Sequence, residues 1–200
     1  MKIVILGPDG AGKSSVIQGL MGRLNRIGRT VTMRHLKPFL VVRRRGEPVT
    51  IVVNPHGKSP RSAFSSLAKI FVWLIEEWYA HIFQDDKEKL LIYDRYYHDL
   101  LVDPKRYRYG GPRWAAELVG KLIPTPSLWV LLDTSAQVLQ ARKQEVPLEE
   151  TERQRQTYFA FVRKQRNHVI INASQPLNKV VADVEQAISG VLCEGKGNRG

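Results

Sequence analysis

Gly7-Pro8-Asp9-Gly10-Ala11-Gly12-Lys13-Ser14 decides how this chain is read. The stretch fits G-x-x-x-x-G-K-[ST] at every fixed position. The apolar run Lys2–Leu6 before it reads as a buried strand. After it, Lys13–Ile27 carries Val16, Ile17, Leu20, Leu24 and Ile27 at helical spacing. In the order strand, glycine-rich loop, helix, the pattern makes a phosphate cradle. The glycines let successive backbone N–H groups converge on anionic oxygens, and the helix N-terminus adds partial positive charge. Lys13 then reaches the terminal phosphates and the Ser14 hydroxyl becomes a Mg²⁺ ligand. The expectation is a bound purine nucleoside triphosphate with Mg²⁺. Asp9 is the odd member, since an acid inside an anion cradle repels its ligand unless aimed outward. It reads either as a contact to a phosphoryl acceptor or as a turn residue that bonds local backbone.

Working outward, four more short apolar runs read as buried parallel strands: Thr30–Arg34, Leu90–Tyr93, Leu128–Leu132 and Val169–Asn172. Segments of helical periodicity alternate with them, at Lys13–Ile27, Ala63–Phe83, Leu148–Arg166 and Leu177–Leu192. Pro147 and Pro176 suit the first turns of the last two. This alternation predicts an α/β fold: a five-stranded, mostly parallel sheet covered by helices on both faces, in one domain spanning 1–193. Residues 37–60 hold Arg43-Arg44-Arg45 and His56 and read as an irregular insert; 194–200 read as a disordered tail.

Ligands of such sheets sit beyond the carboxyl ends of the strands, which directs attention to the residues that follow them. Leu90–Tyr93 runs into Asp94-Arg95. A carboxylate there can hold Mg²⁺ opposite the loop, and the planar Arg95 fork suits an acceptor phosphate or carboxylate. Leu128–Leu132 also runs into an acid, Asp133, a competitor for the metal side. Asp94 is preferred because Arg95 and a dense polar loop follow it, while Asp133 reads as the cap of a helix starting near Ser135.

The net charge of +12 favours anionic partners without choosing among them. The single cysteine, Cys193, excludes an internal disulfide and suits a reducing cytosol. No apolar stretch is long enough for a signal peptide or a membrane span, so a cytoplasmic protein without a membrane partner is expected.

Three pieces of the chain resemble the thymidylate kinase family of nucleoside monophosphate kinases, which carry this P-loop. They are Gly7–Ser15 with its acid in the third position, Asp94-Arg95-Tyr96, and Leu132-Asp133-Thr134 followed by Ala141-Arg142-Lys143. The resemblance implies a three-layer α/β/α core of the P-loop NTPase type, with ATP·Mg²⁺ as phosphoryl donor. It implies cofactor contacts from Gly7, Asp9, Gly10, Ala11, Gly12, Lys13, Ser14, Ser15 and Arg142, with Ser14 and Asp94 on the metal. Lys13, Asp94, Arg95, Arg142 and Asp9 take the catalytic roles. It further implies a homodimer and a mobile lid at 143–157, in which Lys143, Arg153 and Arg155 neutralise charge on the transferring group; Arg153 and Arg155 read equally as part of a solvated helix face beside Glu149, Glu150 and Glu152. The acceptor side departs from the family pattern. Arg34-His35-Leu36-Lys37-Pro38 stands where a short R-E-P-G-G loop is usual, and His98–Gly111 replaces a Ser-rich stretch. Asp9, Arg34, His35, Arg95, Tyr96, Asp99, Arg106 and Tyr109 are the candidate acceptor contacts, with dTMP or a related nucleotide as the foremost substrate.

Arg106-Tyr107-Arg108-Tyr109 alternates cations with rings, a pattern that serves an aromatic or anionic acceptor, a single-stranded nucleic acid, or simple surface packing. Phe64, Phe71, Trp73 and Trp78 have helical spacing and read mostly as core. Beside the small-molecule kinase stand weaker alternatives: a kinase of another metabolite or of a polynucleotide end, a nucleic-acid-stimulated ATPase, and a non-catalytic nucleotide sensor. No separate nucleic-acid module is evident.

Overall fold

The computed structural model describes residues 1–35, 59–83 and 89–197; of His35 and 194–197 it describes the backbone alone. The described residues fall into two compact units. One lies within Met1–His35, Asp86–Tyr96 and Pro126–Gly200, the other within Leu36–Asp85 and Tyr97–Thr125.

The first unit is built on β1 (Lys2–Leu6), β2 (Val31–His35), β3 (Leu90–Asp94), β4 (Leu128–Asp133) and β5 (His168–Asn172). They form a five-stranded sheet in the order β2-β3-β1-β4-β5, with every pair parallel. The buried strands carry apolar residues on both faces because helices cover both. On one face, α1 (Lys13–Arg26) and α7 (Leu177–Gly197) bury Val16, Ile17, Leu20, Val181, Val184 and Ile188 against Ile3, Ile5, Ile92 and Val130. Full burial of such a side chain stabilises the fold by roughly 1.5–3 kcal/mol. The other face is aromatic. Trp129 stacks edge-on with Tyr96 at 5.7 Å and with Phe161 of α6 (Leu148–Val162) at 5.2 Å, and Tyr96 meets Tyr93 at 5.1 Å. The Lys2 ammonium lies over the Tyr93 and Tyr96 rings, at 5.3 and 5.6 Å. A short α5 (Ala136–Arg142) joins β4 to α6.

The second unit contains α2 (Ala63–Phe83), α3 (Asp99–Val102) and α4 (Arg113–Leu122). Neither α3 nor α4 was expected from the sequence. Ser66, Ile70, Trp73, Glu77 and Ala80 of α2 are buried. Of the four aromatic residues expected to be mostly core, only Trp73 is buried; Phe64, Phe71 and Trp78 are exposed. The apolar stripe of α2 is wider than the face it packs.

Smaller differences concern element ends. Pro147 is the N-cap of α6 rather than a residue of its first turn, and α6 stops at Val162. Helix α7 continues to Gly197, so the residues expected to fray are helical up to that point. Residues 36–58, with Arg43–Arg45 and His56, lie outside the described residues, as do 198–200. Among the described residues no helix is long and apolar enough to cross a membrane.

Candidate functional site

Strand order fixes where to look. The connection from β1 runs to β2, past β3, while the connection from β3 runs to β4, past β1. The β1 and β3 carboxyl ends therefore flank the switch point of the sheet, where open α/β sheets place their ligands. The Gly7–Ser14 loop leaves β1 there, and Asp94 and Arg95 leave β3 beside it, Asp94 lying in register with Ile5.

The loop takes a backbone that most side chains cannot share. Gly7 has φ 149° and Gly10 φ 85°. A Cβ at Gly7 would lie 2.7 Å from the Leu132 carbonyl, and one at Gly10 2.7 Å from the Leu139 carbonyl. Glycine is thus required both by dihedral and by the close approach of β4 and α5. The loop ends at Gly12, a left-handed N-cap, and α1 opens at Lys13 with Ser14 and Ser15 exposed in its first turn. The Lys13 ammonium folds back beneath the loop and donates to the carbonyls of Gly7 (2.6 Å) and Pro8 (2.8 Å). Its side chain is 7% exposed. This lysine braces the cradle from within.

Arg95 crosses from β3 and its Nη2 donates to Asp9 Oδ1 in a half-buried ion pair. Asp9 also lies 4.0 Å from the Lys13 ammonium. Its carboxylate therefore answers two cations, rather than bonding only its own turn. Arg95 stands in the left-handed region at φ 71°, a strain of roughly 1–3 kcal/mol for a residue with a side chain. The Arg95 N–H bond to the Ile5 carbonyl and the Asp9 ion pair are among the contacts that hold it there. Asp94 is buried at the strand end.

Arg142, at the end of α5, donates from Nη1 to the Ala173 carbonyl at 3.0 Å. It lines a cavity of about 240 Å³ with Ala11, Gly12, Ser15, Gln175 and Leu177. The end of the loop, the start of α1 and Arg142 thus share one recess.

Asp133 has a different fate from the expected helix cap. Arg155 of α6 holds both its oxygens, Nε to Oδ1 at 2.8 Å and Nη2 to Oδ2 at 3.1 Å. Ser135 is the cap of α5, accepting from Val138 N. The same contacts change the picture of the lid-like segment. Arg155 is engaged with Asp133 and Glu152, Arg153 with Glu150, and Lys143 with Glu145. Gln140 ties the segment down further, donating to the Val146 carbonyl and the Thr151 hydroxyl. A second cavity of about 550 Å³ lies beside the Asp133–Arg155 pair, lined also by Gln137, Asn172 and Ser174.

The expected acceptor contacts separate into several groups. Asp9 and Arg95 meet. Arg34 donates to the Tyr93 hydroxyl at 3.2 Å, on the aromatic face of the sheet. His35 closes β2 in register with Asp94. Tyr96 has no exposed surface, because its ring fills the space between Tyr93 and Trp129. In the second unit, Asp99 is 1% exposed and accepts from the Tyr107 hydroxyl, an internal tie of the loop. Asp103, which sequence reasoning passed over, accepts from the Arg106 N–H and pairs with its guanidinium at 3.6 Å. The Tyr109 hydroxyl donates to the Pro112 carbonyl. His98 Nε2 lies 3.0 Å from the Gly120 carbonyl; a carbonyl only accepts, so Nε2 carries the proton. Burial lowers His98 to about 4, against which the Gly120 bond works.

The Mg²⁺·triphosphate expected from the sequence can be tested against these groups. Ser14 hydroxyl and Asp94 carboxylate are hard oxygen ligands of the type Mg²⁺ takes, and one or two protein oxygens suffice where phosphates and waters complete the octahedron. Among the described residues there is no group of three His, Cys, Asp or Glu that would make an all-protein cage. The donor set fits a metal brought in on a phosphate. No protein-family model matches the chain, and no curated protein matches it.

Proposed function

We propose that this chain is an ATP- and Mg²⁺-dependent phosphotransferase of the P-loop NTPase class, acting on a small acceptor, with a nucleoside monophosphate such as dTMP the foremost candidate. One observation carries the reading. A glycine-rich loop braced by its own buried lysine sits at the switch point of an all-parallel sheet, opens a helix, and faces a buried strand-end acid. The same features support the three-layer core.

In this reading the triphosphate lies along the loop, where backbone N–H groups and the α1 N-terminus attract it. Lys13 exchanges a carbonyl partner for a phosphate oxygen, so its charge is already at the point where negative charge accumulates. Ser14 and Asp94 hold Mg²⁺, which when bound draws charge from the phosphate oxygens. The cavity of Arg142, Gln175 and Leu177 takes the donor base. Asp9 and Arg95 arrange the acceptor: the guanidinium presents a planar fork to its phosphate, and the carboxylate keeps that fork in place. Phosphoryl transfer asks for positioning and charge neutralisation more than for a general base, and these residues supply both. The ion pairs of Arg153 and Arg155 support a resting arrangement of the 143–157 segment, from which any closing motion would have to release them.

Coupled assays of ADP release across nucleotides, nucleosides and sugars test the proposal. The expected result is release stimulated by one acceptor class and abolished by removing Mg²⁺. A chain that binds ATP yet shows no acceptor-stimulated release would contradict it.

A further inference from the structure

The alternating Arg106–Tyr109 stretch is a feature the proposed function leaves unused, and the structure sorts its members. Arg106 is paired with Asp103, and the Tyr107 and Tyr109 hydroxyls are bonded to Asp99 and Pro112. Arg108 is different. It stands in the left-handed region at φ 52°, and its Nε donates to the Ser59 carbonyl at 2.9 Å. Its own carbonyl accepts from the Arg61 N–H at 2.9 Å. One residue earlier, the Tyr107 carbonyl accepts from the Lys69 ammonium, also at 2.9 Å. The loop is clamped again where Gly110 N–H reaches the Ser66 hydroxyl. The clamp gathers three cations, Arg61, Lys69 and Arg108, onto one side of the N-terminal part of α2.

Among the described residues, none of these three has a carboxylate within ion-pair distance. The nearby acids of the loop, Asp99 and Asp103, are engaged by Tyr107 and Arg106. Gathering like charges without a counter-charge costs free energy. Its trace is visible on Lys69: burial first, then Arg61 and Arg108, lower its ammonium from the ordinary value to about 8. An arrangement that carries such a cost is well suited to receiving an anion, which would relieve it.

We infer that Arg61, Lys69 and Arg108 form an anion site for the phosphate monoester group of a small molecule. A monoester dianion matches three neighbouring cations, whereas a nucleic-acid strand offers one charge per phosphate. Strand binding would also need open ring faces. Lys69 covers the Trp73 ring at 4.6 Å and the Tyr107 ring at 5.6 Å, and the two rings meet edge-on at 5.6 Å. The aromatic residues here support the lysine and are not a platform for bases.

The Trp73 indole beneath Lys69 provides a local reporter. The experiment uses the full chain, ¹⁵N-labelled and carrying Lys13→Ala, so that its outcome does not depend on how the Gly7–Ser14 loop is read. The Trp73 indole signal is assigned with Trp73→Phe, and inorganic phosphate is titrated at neutral pH and low salt. The site predicts a saturable shift of that signal, weakened roughly tenfold or more by Arg108→Gln and by Lys69→Gln. Arg108→Gln, in a loop, serves as the second variant if Lys69→Gln disturbs folding. No saturable shift with inorganic phosphate or phenyl phosphate, or a shift indifferent to both substitutions, would overturn the inference. So would saturation by a single-stranded oligonucleotide without terminal phosphate when both phosphates fail.

Discussion

The two strands on either side of β1 end in the same way and differ in what their end residues contact. β3 closes on Asp94 and β4 on Asp133, each flanking the central β1. At β4 the arginine that matters arrives from α6, 22 residues along the chain, and takes both carboxylate oxygens. At β3 the arginine is the next residue, and a left-handed backbone carries its guanidinium to Asp9 of the Gly7–Ser14 loop. An acid held at both oxygens by one fork is a clamp between strand and helix. An acid beside a strained arginine that reaches the loop is, in the proposed function, part of the site. The two ends differ in where the arginine goes: to the strand-end acid itself at β4, and to Asp9 of the Gly7–Ser14 loop at β3.

The largest expected effect tests the loop that the β3 end serves. Lys13→Ala should lower acceptor-dependent ADP release by about a hundredfold or more, since it removes a charge preorganised for the transition state. Folding should survive, with thermal unfolding showing a loss of only about 1–2 kcal/mol from the two abandoned carbonyls.

The comparison itself is broken or sharpened by the paired substitutions Asp94→Asn and Asp133→Asn. The first should cut turnover by roughly a hundredfold and raise the Mg²⁺ requirement. The second should leave turnover within a few-fold but cost about 2 kcal/mol in denaturant unfolding, the worth of charge-assisted bonds to Arg155. Interchanged outcomes would assign the metal side to Asp133.

His98 supplies a pH test away from both strand ends. Its folded value of about 4 lies below the ordinary 6.5, so the fold favours the neutral ring. That contribution is fully present above pH 6.5 and is lost as the pH falls from there to about 4, by up to roughly 3 kcal/mol. Stability of a His98→Gln variant, measured by urea unfolding across that window, should fall less steeply than that of the unaltered chain. Gly10→Ala tests the loop backbone, where the dihedral and the Leu139 carbonyl both resist a Cβ; a loss of at least about 1–3 kcal/mol should appear in thermal unfolding.

Much of the first unit was legible because its signals are local. Five apolar runs gave five strands, and G-x-x-x-x-G-K-[ST] gave the loop, since glycine spacing and the lysine are dictated by backbone geometry within eight residues. Contacts made at long sequence separation were not legible. Nothing near Asp133 announces Arg155, and nothing near Tyr96 announces that Trp129 closes over it. The Arg106–Tyr109 alternation left stacking and surface packing both open, because the partners of its tyrosine hydroxyls, Asp99 and Pro112, do not show in the local pattern. Helix α4 was missed because Arg113–Leu122 is short and follows a loop rich in glycine and proline, whose turn signals obscured it.

The most direct trial of the central claim is a calorimetric titration of the full chain with ATP, run with and without Mg²⁺ and repeated on Lys13→Ala. Saturable, magnesium-dependent binding that the substitution removes is the expected result. Heat that is absent, or equal with and without the metal and equal in the variant, would contradict the account.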